Sequence, residues 1–172
     1  FHEDNMYIAN NGRLFTDVDI NSLCRSAASS KERGQSIGYR GIGFKSVVAF
    51  TNEINLVSGE FSLTFSKDKT KELIPVAKEV PLIRIPHDLI LDEHRNYNDV
   101  VQKKKKKGFG TVFIFPNYKQ SAIDTELDLF NATSILFLRN IRKISVYDKA
   151  EMKFFISKDF KYFIGRRLIT IQ

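Results

Sequence analysis

Three glycines within six residues dominate this sequence, in the string Gly38-Tyr39-Arg40-Gly41-Ile42-Gly43. Glycine loses more backbone freedom on folding than any other residue, so such a cluster has an entropic cost. A set of residues with helical spacing follows it, at Phe44, Val47, Val48 and Thr51. This spacing predicts a helix that begins where the glycines end. Backbone N–H groups next to a helix N-terminus predict a phosphate or other anion site, and a flexible turn is the alternative.

Two better-known phosphate loops do not fit this string. A Walker A loop has Lys and then Ser or Thr directly after its last glycine, whereas Phe44 separates Gly43 from Lys45. A dinucleotide-binding loop has the order G-x-G-x-x-G and follows a strand. Here the order is G-x-x-G-x-G and the preceding segment, residues 29–36, is polar. Both alternatives are therefore set aside.

The residues before the glycine loop predict a strand, a turn and a helix. The strand covers residues 6–9 and enters a turn at Asn10, Asn11 and Gly12, because Asn and Gly tolerate left-handed backbone angles. Thr16 and Asp19 have the spacing of a capping box. Helical spacing then continues through Ile20, Leu23, Cys24 and Ala27. We therefore expect this helix to bury its cysteine in the core, and the polar segment 29–36 to form a mobile lid.

The rest of the chain predicts mainly strands. Residues 54–57 and 61–65 form a hairpin that turns at Ser58 and Gly59, and residues 111–115 form a continuous apolar strand. Prolines interrupt residues 67–108, for which we expect little regular structure and one strand at 80–85. A helix begins near Ile123 and extends through Leu138. Closing strands are expected at 141–147, 153–156 and 162–171.

These elements predict an α+β class for the whole chain. With 42% hydrophobic residues, including 15 Phe, its 172 residues can bury the core of one domain. We expect a single domain, residues 1–172, with a loop-rich insertion at about 67–108. Because the sequence begins with Phe1 rather than Met, we also expect further domains in a longer protein.

The composition also predicts a compartment. The single cysteine excludes an internal disulfide and fits a reducing environment. No apolar run approaches the roughly 20 residues of a membrane-spanning helix, and no signal pattern is present. The three histidines share no metal-ligand spacing with the cysteine, so no metal site is predicted. We expect a soluble cytoplasmic protein without membrane contact, and a nuclear location stays open.

The net charge of +7 favours acidic partners. Five of the 27 basic residues form one run: Lys103, Lys104, Lys105, Lys106 and Lys107. Such a run is typical of a solvated loop, and the alternative is a contact with nucleic acid or an acidic protein.

Together these motifs resemble the GHKL family of ATPases, which have the Bergerat fold, and in particular its branch of sacsin-like and heat-shock-chaperone-like ATP-binding domains. The resemblance rests on five features in the family's order: NNGRLF at 10–15, a helix, SSK at 29–31, IGYRGIGFKS at 37–46, and Gly110-Thr111 entering a strand. It covers nearly the whole chain. It implies a two-layer sandwich of a mixed, mostly antiparallel sheet with helices on one face.

The resemblance assigns a base-binding role to the first motif. In the family's D-x-G-x-G motif the Asp accepts a hydrogen bond from the adenine amino group. Asn10 takes its place here, Gly12 matches the first glycine and Leu14 replaces the second. An Asn carbonyl oxygen can still accept that bond, but without carboxylate strength. Thr111 matches a family Thr whose hydroxyl lies near the base, and a β-branched strand residue is the alternative explanation.

The resemblance assigns the phosphates to the glycine loop. Gly38, Gly41 and Gly43 would wrap the β- and γ-phosphates, with Lys31 and Lys45 as nearby charges. The remaining residues that it places at the nucleotide are Ser30, Arg40, Ile42 and Phe44. It implies ATP with Mg²⁺, and slow hydrolysis coupled to lid closure.

Hydrolysis in this family needs a Glu and a magnesium-binding Asn on a helix ahead of the first motif. No residue before Asn10 is assigned these roles. We expect either that this helix lies in a segment upstream of Phe1, which would make the chain part of an ATPase, or that the chain is a degenerate nucleotide binder. The alternatives are a degenerate module for sensing or protein interaction, and a nucleic-acid binder acting through the lysine run. A homodimer, which many relatives form, stays open.

Overall fold

A computed structural model of the protein describes residues 1–25, 44–138, 140–148, 151–163 and 166–171. The chain divides into two compact units. The larger unit is Asp4–Lys119, and the smaller one combines Phe1–Glu3 with Gln120–Gln172. Among the described residues, no helix has the length and apolar character needed to cross a membrane.

The larger unit is built on a five-stranded sheet in which every pairing is antiparallel. Its strands are β1 (Asn5–Asn10), β2 (Glu53–Ser58), β3 (Phe61–Ser66), β4 (His87–Asp88) and β5 (Thr111–Pro116), in the order β1-β5-β2-β3-β4. Its helices are α1 (Asp17–Cys24), α2 (Lys67–Leu73) and α3 (Arg95–Lys106), with 3-10 helices at Phe44–Ala49 and Leu91–Glu93. The α+β class expected from the sequence is confirmed.

One face of this sheet packs against α3. Val57 on β2, and Val112 and Ile114 on β5, form a buried cluster with Leu89 and with Val101 of α3. Alternate residues of a strand point to opposite faces, so the side chains of Val57, Val112 and Ile114 define a single face. We call it the α3 face. Its β-branched residues suit a pleated, buried surface.

The opposite face of the sheet carries aromatic packing. Phe113 and Phe115 of β5 lie on it, at 8% and 1% exposure. The Phe15 ring, from the loop before α1, meets Phe113 edge-on at a centroid distance of 5.8 Å. The Phe50 ring, which follows the first 3-10 helix, lies 5.6 Å from that of Phe115. We call this the aromatic face.

The smaller unit contains α4 (Gln120–Leu129), a 3-10 helix (Ala132–Phe137) and three antiparallel strands, β6 (Lys143–Asp148), β7 (Glu151–Phe163) and β8 (Arg166–Ile171). A buried lysine joins two of these elements. Lys158 of β7 is 2% exposed, and its Nζ donates to the carbonyl oxygens of Ile135 at 2.8 Å and Leu138 at 2.5 Å. The side-chain cation therefore gives a second donor to two carbonyl groups at the end of the 3-10 helix, which also accept the backbone N–H groups of Leu138 and Ile141.

Several local predictions are confirmed. Helix α1 begins after Thr16, whose backbone N–H and hydroxyl both donate to the Asp19 carboxylate, at 2.9 Å and 2.8 Å. The hairpin of β2 and β3 and the strand β5 lie where the sequence places them.

Cys24, however, is only partly buried, so its predicted core position is wrong. Helix α1 ends at this residue, and Ile20 is the position it buries.

The prediction for residues 67–108 is wrong in three respects. The segment contains two helices, and no strand forms at 80–85. Lys103 to Lys106 lie in the last turn of α3 rather than in a loop. Helix α2 is capped by Ser66, whose hydroxyl accepts from the Lys69 N–H. Helix α3 buries only Val101 fully, so it lacks the long apolar period on which the sequence analysis relied.

Two predicted helices are shorter in the structure. The helix expected after the glycine loop is a 3-10 helix, Phe44–Ala49, which ends before Thr51 and leaves Val48 46% exposed. The helix expected through Leu138 ends at Leu129. Asn131 follows, and its side chain accepts from the Thr133 N–H at 3.0 Å. Such a local side-chain bond competes with helix continuation and begins the 3-10 turn.

Candidate functional site

Three polar residues line up across adjacent strands at one end of the larger sheet. Asn10 of β1 is the register partner of Thr111 of β5, and Thr111 is also the partner of Ser58 of β2. Directly opposed residues share a face of an antiparallel sheet. All three side chains therefore belong to the aromatic face, and the fold brings two of the predicted site residues together.

The hydroxyl of Thr111 is buried and bonded within the protein. Thr111 and Ser58 are both 0% exposed, and their hydroxyl oxygens lie 2.7 Å apart. The Ser58 oxygen also accepts the backbone N–H of Phe15 at 3.0 Å. These bonds tie the loop between β1 and α1 to the sheet. The sequence predicts Ser58 only as a turn residue, and its position as a polar residue at the end of an apolar strand is the one signal that points to this role.

Asn10 is exposed and forms a local turn. Its Oδ1 accepts from the Gly12 N–H at 3.1 Å. Because a backbone N–H can only donate, the side-chain oxygen must face Gly12, and the other hydrogen-bonding group of Asn10 is its Nδ2 amino group. A Cβ at position 12 would lie 3.2 Å from this oxygen. Glycine at this position therefore leaves the turn uncrowded.

Leu14 occupies the space that two glycines leave open. A Cβ built on Gly110 would lie 2.6 Å from Cδ2 of Leu14, and one built on Gly59 would lie 3.2 Å from its Cδ1. Gly59 also has a φ of +58°, a value that L side chains rarely adopt. The sequence analysis treated Gly110 only as the partner of Thr111. In the structure, its missing side chain accommodates the leucine that replaces the second glycine of the first motif.

An ion pair fixes the same loop from its exposed side. The guanidinium of Arg13 donates two hydrogen bonds to the Asp19 carboxylate, at 2.7 Å and 2.9 Å. The hydrogen bond and the charge of Asp19 raise the pKa of Arg13 above its ordinary value. Asp19 thus holds Arg13 as well as the backbone and hydroxyl of Thr16. The loop that carries Gly12 and Leu14 is therefore anchored to Ser58 through Phe15 and to Asp19 through Arg13 and Thr16.

Only two of the other predicted site residues lie within the described ranges. Phe44 and Lys45 begin the 3-10 helix, and only their backbone is described. This helix has six residues, so it provides a weaker dipole than the longer helix that was expected. The remaining predicted residues lie outside the described ranges: Ser30, Lys31, Gly38, Arg40, Gly41, Ile42 and Gly43.

The described histidines and carboxylates do not assemble into a metal site. Within the ranges that the structure describes, no group of three or more His, Cys, Asp or Glu could hold a metal ion. His87 Nε2 lies 3.0 Å from the Thr70 hydroxyl, and the His94 ring stacks on that of Tyr97 at 5.1 Å. Both rings therefore have contacts of their own.

A double-mutant cycle will measure the link between Ser58 and Thr111. Ser58→Ala removes the acceptor of the Phe15 N–H in a buried site, so we expect it to lower the free energy of unfolding by about 1–2 kcal/mol. Thr111→Val keeps the shape and removes the hydroxyl. Because both changes break one shared bond, urea unfolding should give a double variant that deviates from additivity by about 0.5 kcal/mol or more. Strictly additive losses would contradict the shared hydrogen bond.

Comparison with known proteins gives no match. No protein-family model matches the chain, and neither a curated protein nor a solved structure is significantly similar to it. The functional conclusion therefore depends on the residues of this chain.

Proposed function

We propose that this chain binds ATP in a GHKL-type site on the aromatic face of its sheet. One observation carries the proposal: Asn10 and Thr111, which belong to motifs in opposite halves of the sequence, are direct register partners on adjacent strands. The Gly12 turn follows Asn10, and the 3-10 helix that begins at Phe44 follows the glycine loop. The finer Bergerat arrangement is part of this proposal.

The adenine would contact Asn10. Its side-chain oxygen has two lone pairs, one of which accepts from Gly12, so the second can accept from the adenine amino group. Thr111 fits a direct base contact poorly, because its hydroxyl is buried against Ser58. We therefore give Thr111 a positioning role. Through Ser58 it fixes the loop that carries Gly12.

The triphosphate would contact the glycine loop. Backbone N–H groups at Gly38, Gly41 and Gly43 would bind the phosphate oxygens, and Lys31 and Lys45 would add positive charge. The same resemblance adds Ser30, Arg40, Ile42 and Phe44. Mg²⁺ would enter bound to the phosphates. Slow hydrolysis is the finer part of this proposal, and its general base is not assigned to a residue of this chain.

Isothermal titration calorimetry with Mg-ATP and Mg-ADP tests the proposal on the whole protein. We expect one saturable site for adenine nucleotide. Folded protein that releases no heat and shows no thermal stabilisation at millimolar ATP would refute it. That outcome would favour the degenerate interaction module, an alternative supported by the burial of the Thr111 hydroxyl.

Restoring the family's carboxylate should strengthen binding. In Asn10→Asp, one oxygen can keep the Gly12 bond while the other accepts the adenine amino group with charge assistance. We expect ATP affinity to rise by about tenfold, or roughly 1.4 kcal/mol. Asn11→Asp is the matched control, because it adds the same charge to the same turn. Equal effects of the two variants in calorimetry would count against a base contact at Asn10.

A further inference from the structure

The lysine run forms a dense positive charge at the end of α3. Lys103 to Lys106 make up the last turn of the helix, and Lys107 is its C-cap. Successive helical residues are rotated by about 100° and rise by about 1.5 Å, so five consecutive lysines surround the helix within about 6 Å of its length. The five lysines, which were expected in a loop, therefore form a cluster of positive charge at the end of a helix.

The backbone at this helix end does not require the lysine side chains. The N–H groups of Lys107 and Phe109 donate to the carbonyl oxygen of Lys104, at 3.0 Å and 3.2 Å, and that of Gly108 donates to Lys105 at 2.9 Å. Gly108 has a φ of +83°, the left-handed conformation that commonly ends a helix. The terminal carbonyl groups of Lys104 and Lys105 are therefore satisfied by backbone donors.

The side chains of the run are mostly exposed to solvent. Four of its lysines, at 103, 105, 106 and 107, are exposed and form no ion pair within the described part of the chain. Lys104 is half-buried, with its Nζ 5.9 Å from the centre of the Phe109 ring. Burial and the charge of Lys107 lower the pKa of Lys104. The interaction of a cation with a helix C-terminus contributes only about 0.3–1 kcal/mol per cation. This interaction therefore does not explain why five consecutive lysines lie at the helix end.

This cluster and the candidate ATP site belong to opposite faces of one sheet. Helix α3 packs through Val101 onto the face that carries Val57 and Val112. Asn10 and Thr111 occupy the alternate positions of their strands, on the aromatic face. A ligand on the exposed end of α3 would therefore not cover the candidate ATP site.

We propose that the end of α3 is a second binding surface, which contacts the phosphate backbone of nucleic acid without sequence preference. Double-stranded DNA carries one charge per about 1.7 Å of its axis, a density comparable to that of this helix end. The run contains no Arg or Asn for base-edge recognition, and its neighbouring ring, Phe109, is covered by Lys104. Lysine point charges on phosphates give affinity and position rather than sequence selection.

Fluorescence anisotropy with labelled duplex DNA of about 20 base pairs tests this surface. Each lysine–phosphate contact contributes about 0.9 to the slope of log affinity against log salt, so K103Q/K105Q/K106Q/K107Q should reduce the slope by about 3–4. Between about 50 and 200 mM salt, the parent protein should lose roughly 100-fold or more in affinity. The affinity for ATP should be the same in parent and variant.

The matched control removes the same charge from elsewhere in the larger unit. Lys69, Lys71, Lys78 and Lys119 are also exposed, and K69Q/K71Q/K78Q/K119Q should change the slope by less than about 1. Equal losses in the two variants would show a general charge effect and overturn the proposal. Stronger binding of polyglutamate than of DNA would overturn it in favour of an acidic protein partner. Because the anisotropy assay contains no ATP, a failure of the protein to bind ATP would not change the result for DNA.

Discussion

Gly43→Val should abolish ATP binding while the protein remains folded. A branched side chain at the last glycine of the loop would stop the backbone from approaching the phosphates. Hydrogen bonds to charged groups contribute about 1.5–3 kcal/mol each, so losing two costs about 4 kcal/mol, or on the order of 10³-fold in affinity. Calorimetry with Mg-ATP measures the loss, and circular dichroism establishes that the variant is folded.

Gly108→Asn is the control for this experiment. Gly108 has a φ of +83°, a Cβ there meets no atom within 4 Å, and Asn tolerates a positive φ. We expect its ATP affinity to equal that of the parent protein. If Gly43→Val bound ATP as tightly as Gly108→Asn did, the glycine loop would not be the phosphate site.

The second large effect concerns stability rather than binding. Lys158→Met keeps the length of the buried stem but removes the two hydrogen bonds that Nζ donates to the carbonyl oxygens of Ile135 and Leu138, which keep only their backbone donors. Hydrogen bonds from a charged group contribute about 1.5–3 kcal/mol each, and relief from burying a charge offsets part of this loss. We expect urea unfolding to show a net loss of about 2–3 kcal/mol.

Lys153→Met, on the same strand, separates the buried bond from the loss of a charge. Lys153 is 55% exposed, and its Nζ lies 3.6 Å from Asp148. A surface pair of this kind contributes about 0–1 kcal/mol. A loss in Lys158→Met no larger than that in Lys153→Met would show that the two carbonyl contacts add little to stability.

The two proposals place two kinds of phosphate ligand on different surfaces of the larger unit. On the aromatic face, the proposed ATP site depends on backbone groups and on the polar ends of β1 and β5. On the end of α3, the proposed nucleic-acid surface depends on side-chain charge alone. The first should respond to single glycine substitutions and the second to salt concentration. Calorimetry and anisotropy on the same variants therefore separate the two proposals.

The helices show where local patterns were insufficient. Helix α1 was predicted because Thr16, Asp19 and Ile20 supply a cap and an apolar period within a few residues. Helix α3 was missed because it buries only Val101 fully and is stabilised by packing on Val57 and Val112. Val57 lies on a strand remote in sequence and Val112 lies on the strand that follows α3, so the pattern within α3 could not reveal either partner. Tertiary packing routinely overrides such weak local signals.

The sequence by itself determined the hairpin, β1, β5 and α1, because alternation, turn residues and caps act between close neighbours along the chain. It also singled out Asn10 and Thr111. Only the tertiary structure decided that these two residues face each other and that the hydroxyl groups of Thr111 and Ser58 share a hydrogen bond. Strand register and burial are set by the pairing of segments that are distant in sequence. The free energy of these contacts therefore cannot be read from any single segment.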